Sequence, residues 1–170
     1  MSFQLNGKNA VVTGGSSGIG FATVELLVKE GANVAWCGRD EQRLAQSKEM
    51  ILARYPNAKV FTATCNVLDK TDVQAFANQV ISNFGGIDIL INNAGQTLNS
   101  TLENTDINKF DELMNINCRA PYILCQTALK YLRNSDYATI INIASVVAHN
   151  GYVNQSAYTA SKHALIGWTK

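Results

Sequence analysis

The stretch from Asn9 to Gly20, NAVVTGGSSGIG, runs from an apolar segment through a glycine-rich turn into a helical one. Asn9–Thr13 reads as a buried strand, because its apolar residues follow one another without polar alternation. From Ile19 to Lys29, Ile19, Ala22, Thr23, Leu26 and Leu27 recur at helical spacing, and Gly31 closes the helix. A helix that starts straight after a strand offers unpaired N–H groups and a positive dipole end, which suits a diphosphate. Glycines in the turn let backbone approach phosphate and let helix pack close to strand. Gly14, Ser16, Ser17, Gly18, Ile19 and Gly20 are therefore candidate dinucleotide-binding residues. Their spacing is G-x-x-x-G-x-G, a variant of the better-known G-x-G-x-x-G. Such a turn standing alone is as often a plain strand–helix connection, so the rest of the chain decides.

Further strands are expected over Asn33–Cys37, Lys59–Thr64, Ile87–Ile91 and Thr139–Ile143. Helices are expected between them. Asp40–Arg54 places Leu44, Ser47 and Ile51 on one side and stops before Tyr55-Pro56. A second helix opens at Asp69 and ends at Gly85-Gly86. A third, capped by Thr105 or Asp106, runs to about Leu132, and Pro121 within it should kink or break it. The last begins at Ser156 and continues to Lys170. Strands alternating with helices predict an α/β fold with a parallel sheet covered on both faces. The absence of repeats, linkers and low-complexity segments predicts one domain over residues 1–170.

The composition narrows the function. With 46% hydrophobic residues and a formal charge of +1, the 170-residue chain has no electrostatic footprint for nucleic acid or a membrane surface. Its apolar runs fall far short of a membrane span. The start, MSFQLNGKNAVVTGG, has no basic segment followed by an apolar one, so no signal peptide is read there. Cys37, Cys65, Cys118 and Cys125 form no C-x-x-C pair and read as buried reduced thiols, which points to the cytoplasm. His149 and His163 are too isolated to predict a metal site.

Cofactor choice is read at the end of the second strand. An acidic residue there would bind a ribose 2′-hydroxyl. This chain has Gly38 and Arg39 instead. Gly38 leaves room, and the planar fork of Arg39 suits a 2′-phosphate. The expectation is NADP(H), with NAD(H) as the alternative; Asp40, one step on, is read as a helix cap.

Near the C-terminal end, Tyr158 and Lys162 stand four residues apart, on one face of a helix. A phenol titrates near pH ~10. A neighbouring ammonium and a helix N-terminus both favour the phenolate, moving it toward useful acid–base chemistry. The spacing by itself is a common accident on amphipathic helices.

TGGSSGIG after the first strand, Asn92-Asn93-Ala94-Gly95 after the fourth, and Ser145 with Tyr158 and Lys162 after the fifth stand in an order that resembles the short-chain dehydrogenase/reductase family, over the whole chain. The resemblance implies a Rossmann-like, doubly wound parallel sheet with helices on both faces. It implies that Tyr158 is the general acid/base, that Lys162 holds ribose hydroxyls and lowers the tyrosine pKa, and that Ser145 hydrogen-bonds the substrate oxygen. Asn117 matches the family's relay asparagine, with Asn115 as the competing position. Asn93, Ala94 and Gly95 would pass beside the adenosine ribose. Asn66-Val67 stands where the family carries Asp and an apolar residue near the adenine, so Asn66 is a departure. Substrate contacts are expected at Ser145, Gln96, Val147 and Tyr152. The implied reaction is reversible hydride transfer to or from a ketone or secondary alcohol, in a homodimer or homotetramer.

Enzymes of this family continue with further strands, a substrate loop and another helix. This chain stops inside its last helix, so the expectation is a C-terminally truncated form that lacks the last strands and leaves the fifth strand at a sheet edge. A non-catalytic dinucleotide-binding short form and an NAD-linked alcohol dehydrogenase are the alternative readings.

Overall fold

A computed structural model describes residues 5–170. The signal-peptide reading rests partly on residues 1–4, which lie outside the described residues. Five parallel strands, β1 (Asn9–Thr13), β2 (Asn33–Gly38), β3 (Val60–Thr64), β4 (Ile89–Asn92) and β5 (Thr139–Asn142), form one sheet in the order β3-β2-β1-β4-β5. The order reverses at β1, so the connections from β1 run outward in both directions. In such sheets the crevice beyond the strand C-termini at the reversal is where ligands bind.

The helices α1 (Gly18–Lys29), α2 (Glu41–Arg54), α3 (Lys70–Phe84), α4 (Ile107–Met114), α5 (Ala120–Leu132) and α6 (Ser156–Thr169) cover both faces. One core cluster joins Val11, Leu90, Val73, Phe76, Val80 and Leu124 beneath α3 and α5. The other joins Val12, Val34, Trp36, Val24, Leu27 and Ile51 beneath α1 and α2. Alternate residues of β1 and β2 feed opposite clusters, as a sheet buried on both faces requires. The expectation of strands buried on both sides holds for β1, β2 and β4 and fails at the two edges. β3 is only half-buried, and Ile140 and Ile141 of β5 are 38% and 44% exposed.

Short polar residues start the helices. Asp40 accepts from the backbone N–H of Arg43 at 3.0 Å, and Asp69 from those of Thr71 and Asp72. Of the two candidates before α4, Asp106 is the cap, accepting from Asn108 N–H at 2.9 Å. Thr105 instead donates its hydroxyl to the Thr101 carbonyl.

The long helix does break, but not at Pro121. The irregularity is a π-helical turn over Asn115–Arg119, and Pro121 sits in the first turn of α5. A proline there removes no hydrogen bond that a regular first turn would make. The π turn adds an extra residue to the coil and swings Asn117 inward, where its side chain has no exposed surface.

Candidate functional site

The glycine turn, the ends of β2 and β3, and the stretch after β4 surround a cavity of about 480 Å³ at the C-terminal edge of the sheet. Twelve of the residues singled out from the sequence line it. They are Gly14, Ser16, Ser17, Ile19, Gly20, Arg39, Asn66, Val67, Asn93, Ala94, Gly95 and Gln96. Gly18 stands in the same turn at the first position of α1, with φ +54°. The N-cap residue Ser17 makes no side-chain capping bond, so the first N–H groups of α1 are not claimed by a cap.

Position 20 tolerates no side chain. A Cβ there would lie 2.2 Å from the Gly14 carbonyl oxygen and 2.4 Å from Asn93 Nδ2. The missing atom lets α1 rest on the end of β1. Asn93 locks the same corner by donating from Nδ2 to the carbonyls of Thr13 at 2.9 Å and Gly14 at 3.2 Å.

At the lip, Arg39 and Asp40 are exposed, and Arg43 also lines the cavity. Arg43 pairs with Asp40 at 3.3 Å. Asn66 uses its carbonyl oxygen locally, accepting from Leu68 N–H at 3.2 Å. Cys37 and Cys65 are both free, buried and part of the cavity wall. A hydrogen bond to Cys65 and then burial push the Cys37 thiol well above the usual thiol range. The same bond lowers Cys65.

The second half of the site adjoins the first at Gly95. A Cβ on Gly95 would stand 2.9 Å from Asn117 Oδ1 and 3.6 Å from Lys162 Nζ, so a bare backbone is what allows these groups to converge. Lys162, only 5% exposed, donates to the Ile143 carbonyl at 2.7 Å. Burial pushes its pKa below the ordinary lysine range, because an ammonium loses hydration there. Asn117 is bound on both sides. Its Oδ1 accepts from Gln96 N–H at 2.9 Å, and its Nδ2 donates to the Gln96 carbonyl at 2.8 Å and to Ser161 Oγ at 3.0 Å. Asn115 only opens the π turn.

Tyr158 lies half-buried in the first turn of α6, one turn before Lys162. Ser145 precedes a short 3₁₀ turn over Val146–Ala148 and accepts from Val147 N–H at 3.4 Å. Neither lines the 480 Å³ cavity, which ends at Gly95 and Gln96. Two further expected substrate contacts differ in exposure. Val147 is buried at 4% exposure, and Tyr152 is 52% exposed and outside the cavity.

Several residues escaped the sequence reading. Thr13 is 1% exposed, and its hydroxyl accepts from the N–H groups of Asn93 and Ala94. Ser161, Arg43, Leu68 and Ile116 were also missed. The only signal was a small hydroxyl residue at a motif, Thr13 opening TGGSSGIG and Ser161 standing between Tyr158 and Lys162.

The fold and the cavity define a dinucleotide-type α/β domain whose ligand crevice opens at the strand-order reversal. Residues 8–170 match the short chain dehydrogenase family model, and the chain belongs to that family. It is 35% identical over 170 residues to a 3alpha-hydroxysteroid dehydrogenase of Mediterraneibacter gnavus, covering 100% of this chain and 68% of the relative. It is 34% identical over 168 residues to a levodione reductase of Leifsonia aquatica, covering 98% and 63%. Among solved structures, a short chain oxidoreductase from Pseudomonas aeruginosa PAO1, with NADPH bound and an atypical catalytic center, superposes with a TM-score of 0.95 at 36% identity, covering 98% and 65%. The chain thus spans about two thirds of the length of these relatives.

Proposed function

We propose that this chain carries the cofactor site and proton-transfer centre of an NADP(H)-dependent oxidoreductase that interconverts a ketone and a secondary alcohol. The observation that carries the reading is the convergence of Asn117 and a buried Lys162 on Gly95, one helical turn from Tyr158, where a cavity built on a helix N-terminus ends.

The cavity fits a dinucleotide. The uncapped start of α1 and the close-packed glycine turn suit the diphosphate. Asn66 and Val67, which line the cavity, would meet the adenine, and Arg39, exposed at its lip, would meet a 2′-phosphate. The backbone of Asn93, Ala94 and Gly95 would follow the adenosine ribose, and Lys162 and Tyr158 the nicotinamide ribose. When bound, the nicotinamide supplies or accepts the hydride.

The chain's own residues handle the proton. Tyr158 donates its phenolic proton to the oxygen of the carbonyl being reduced and takes it back in the reverse direction. Ser145 donates a hydrogen bond to the same oxygen as negative charge develops. Lys162, one helical turn after Tyr158, would hold the ribose hydroxyls through which the proton leaves. Asn117 keeps one lone pair of Oδ1 beyond its bond to Gln96, able to hold a water on the relay toward Lys162.

NADP(H) is preferred here over NAD(H) on the strength of Arg39 and the absence of a carboxylate at position 38. Solved neighbours hold NADPH, NADP or NAD, which supports a nicotinamide dinucleotide and leaves the choice to Arg39. No helix among the described residues is long and apolar enough to cross a membrane. A cytoplasmic homodimer or homotetramer is part of the proposal, open to sedimentation and cell fractionation.

The decisive experiment follows NADPH consumption against a panel of carbonyl compounds for wild type and Tyr158→Phe. The variant should bind NADPH normally and lose most turnover; wild-type turnover would overturn the reading. A protein that binds NADPH but reduces nothing in the panel would point to a non-catalytic binding role.

A further inference from the structure

We propose that Ser161 is a positioning residue that fixes the Asn117 carboxamide to the helix carrying Tyr158 and Lys162. The inference rests on the proton-transfer reading above. Ser161 has no exposed surface, so each hydrogen bond it makes is made without competition from water. Its hydroxyl donates to the Tyr158 carbonyl at 2.7 Å. With its one proton committed there, it can only accept from Asn117, and it does so from Nδ2 at 3.0 Å.

That polarity matters. Asn117 Nδ2 has two hydrogens, and the Gln96 carbonyl and Ser161 Oγ take one each. Its Oδ1 takes the Gln96 N–H. A flipped carboxamide would set oxygen against the Gln96 carbonyl and NH₂ against the Gln96 N–H. The orientation is therefore unique, and it leaves Oδ1, not Nδ2, facing Gly95, which Lys162 Nζ also approaches. Gln96 sets the rotation of the amide. Ser161 sets its distance from α6, because it is the only member of the set on that helix. It lies directly before Lys162 and one turn after Tyr158. The three groups thus move together, although Asn117 is 44 residues from Ser161 in the chain.

Without the hydroxyl, one Asn117 N–H is left buried without an acceptor, and the carboxamide loses its tie to α6. Misplacement of a relay group by about an ångström costs up to about a hundredfold in rate. The effect belongs to turnover, because Ser161 does not line the cofactor cavity.

The test uses the full-length protein, NADPH and ethyl acetoacetate as the probe ketone. Ser161→Ala, Asn117→Ala and the double variant are compared, with Tyr158→Phe as reference. Ser161→Ala should lower kcat by about tenfold or more and leave KM for NADPH within about twofold. The double variant should be no slower than the slower single one, because Ser161 acts through Asn117. In the Ser161→Ala protein one Asn117 side-chain N–H should also exchange with solvent faster than in wild type, read by nitrogen-edited NMR without any substrate. Multiplying kcat losses in the double variant, or an unchanged kcat with an unchanged exchange rate, would overturn the inference while a dead Tyr158→Phe upheld the reading beneath it. An active Tyr158→Phe would overturn that reading instead. If the alanine variant does not fold, Ser161→Cys, which keeps the side-chain length but accepts weakly, carries the same expectations.

Discussion

The hydroxyl of Thr13, at the last position of β1, accepts from the backbone N–H of Asn93 at 3.1 Å, while Asn93 Nδ2 donates back to the Thr13 carbonyl at 2.9 Å. This reciprocal pair joins segments 80 residues apart. A second bond, from Ala94 N–H to the same hydroxyl at 3.0 Å, completes the joint. The glycine turn and the stretch after β4 therefore share one anchor, and both sides of the cofactor cavity depend on it.

Thr13→Val keeps the shape of the side chain and removes the acceptor. Two backbone N–H groups lose their partner, each worth about 1–3 kcal/mol when buried. Stability should fall by about 2–6 kcal/mol in urea unfolding, and NADPH titration should show weaker binding. An unchanged midpoint would mean that water replaces the hydroxyl.

Gly20→Ala should be costly for a different reason. The new methyl would meet backbone, the Gly14 carbonyl, rather than a side chain able to rotate away. Overpacking of this kind costs about 1–3 kcal/mol. Cofactor affinity should drop with it, because α1 must back away from the turn. Ile19→Ala, next door but 66% exposed, should leave the unfolding midpoint almost unmoved.

Arg39→Ala should separate the two cofactors. NADPH affinity should fall by about tenfold or more, and NADH affinity should stay within about twofold, measured by calorimetric titration. Equal losses for both would show that Arg39 does not meet a 2′-phosphate.

Lys162 makes stability depend on alkaline pH. Its folded pKa is held down by burial, while the unfolded chain keeps the ordinary value near ~10.4. Below the folded pKa both states carry the proton, and the folded state bears the full desolvation penalty. Between the two values the unfolded chain binds more protons than the folded one, so stability rises with pH through that window. The free-energy difference between wild type and Lys162→Met should therefore grow in favour of wild type as pH rises toward the unfolded value. A difference that stays flat in denaturant melts from pH 7 to about 10.4 would show that Lys162 is not desolvated.

Much of the fold could be read from local pattern. β1, β2 and α1–α3 fall within a residue or so of expectation, because apolar runs, Asp40, Asp69 and Gly85 mark them by chemistry that acts over one turn of chain. The cofactor cavity was equally legible, since its residues cluster at strand ends. What escaped was set by distant contacts. Pro121 drew attention as the breaker, yet the coil departs from α-helix six residues earlier, at Asn115, where Asn117 meets Gln96 and Ser161. The roles of Thr13 and Ser161 escaped notice because their partners lie 80 and 44 residues away. The directions of Val147 and Tyr152, one buried and one exposed, follow from loop packing and not from periodicity.

The π turn at Asn115–Arg119 has a consequence for the whole covering layer. Each residue of an α-helix advances its azimuth by about 100°, so one surplus residue leaves the two halves of this rod facing different quarters. α4 lies against α6, and α5 lies against α3. A straight rod would have to choose between those neighbours. The surplus residue acts as a phase shifter, so that a single continuous segment walls the flank of α6 at one end and joins the layer over the sheet at the other. Removing one residue from 115–119 would restore the straight rod, turn α4 away from α6 and separate the two roles.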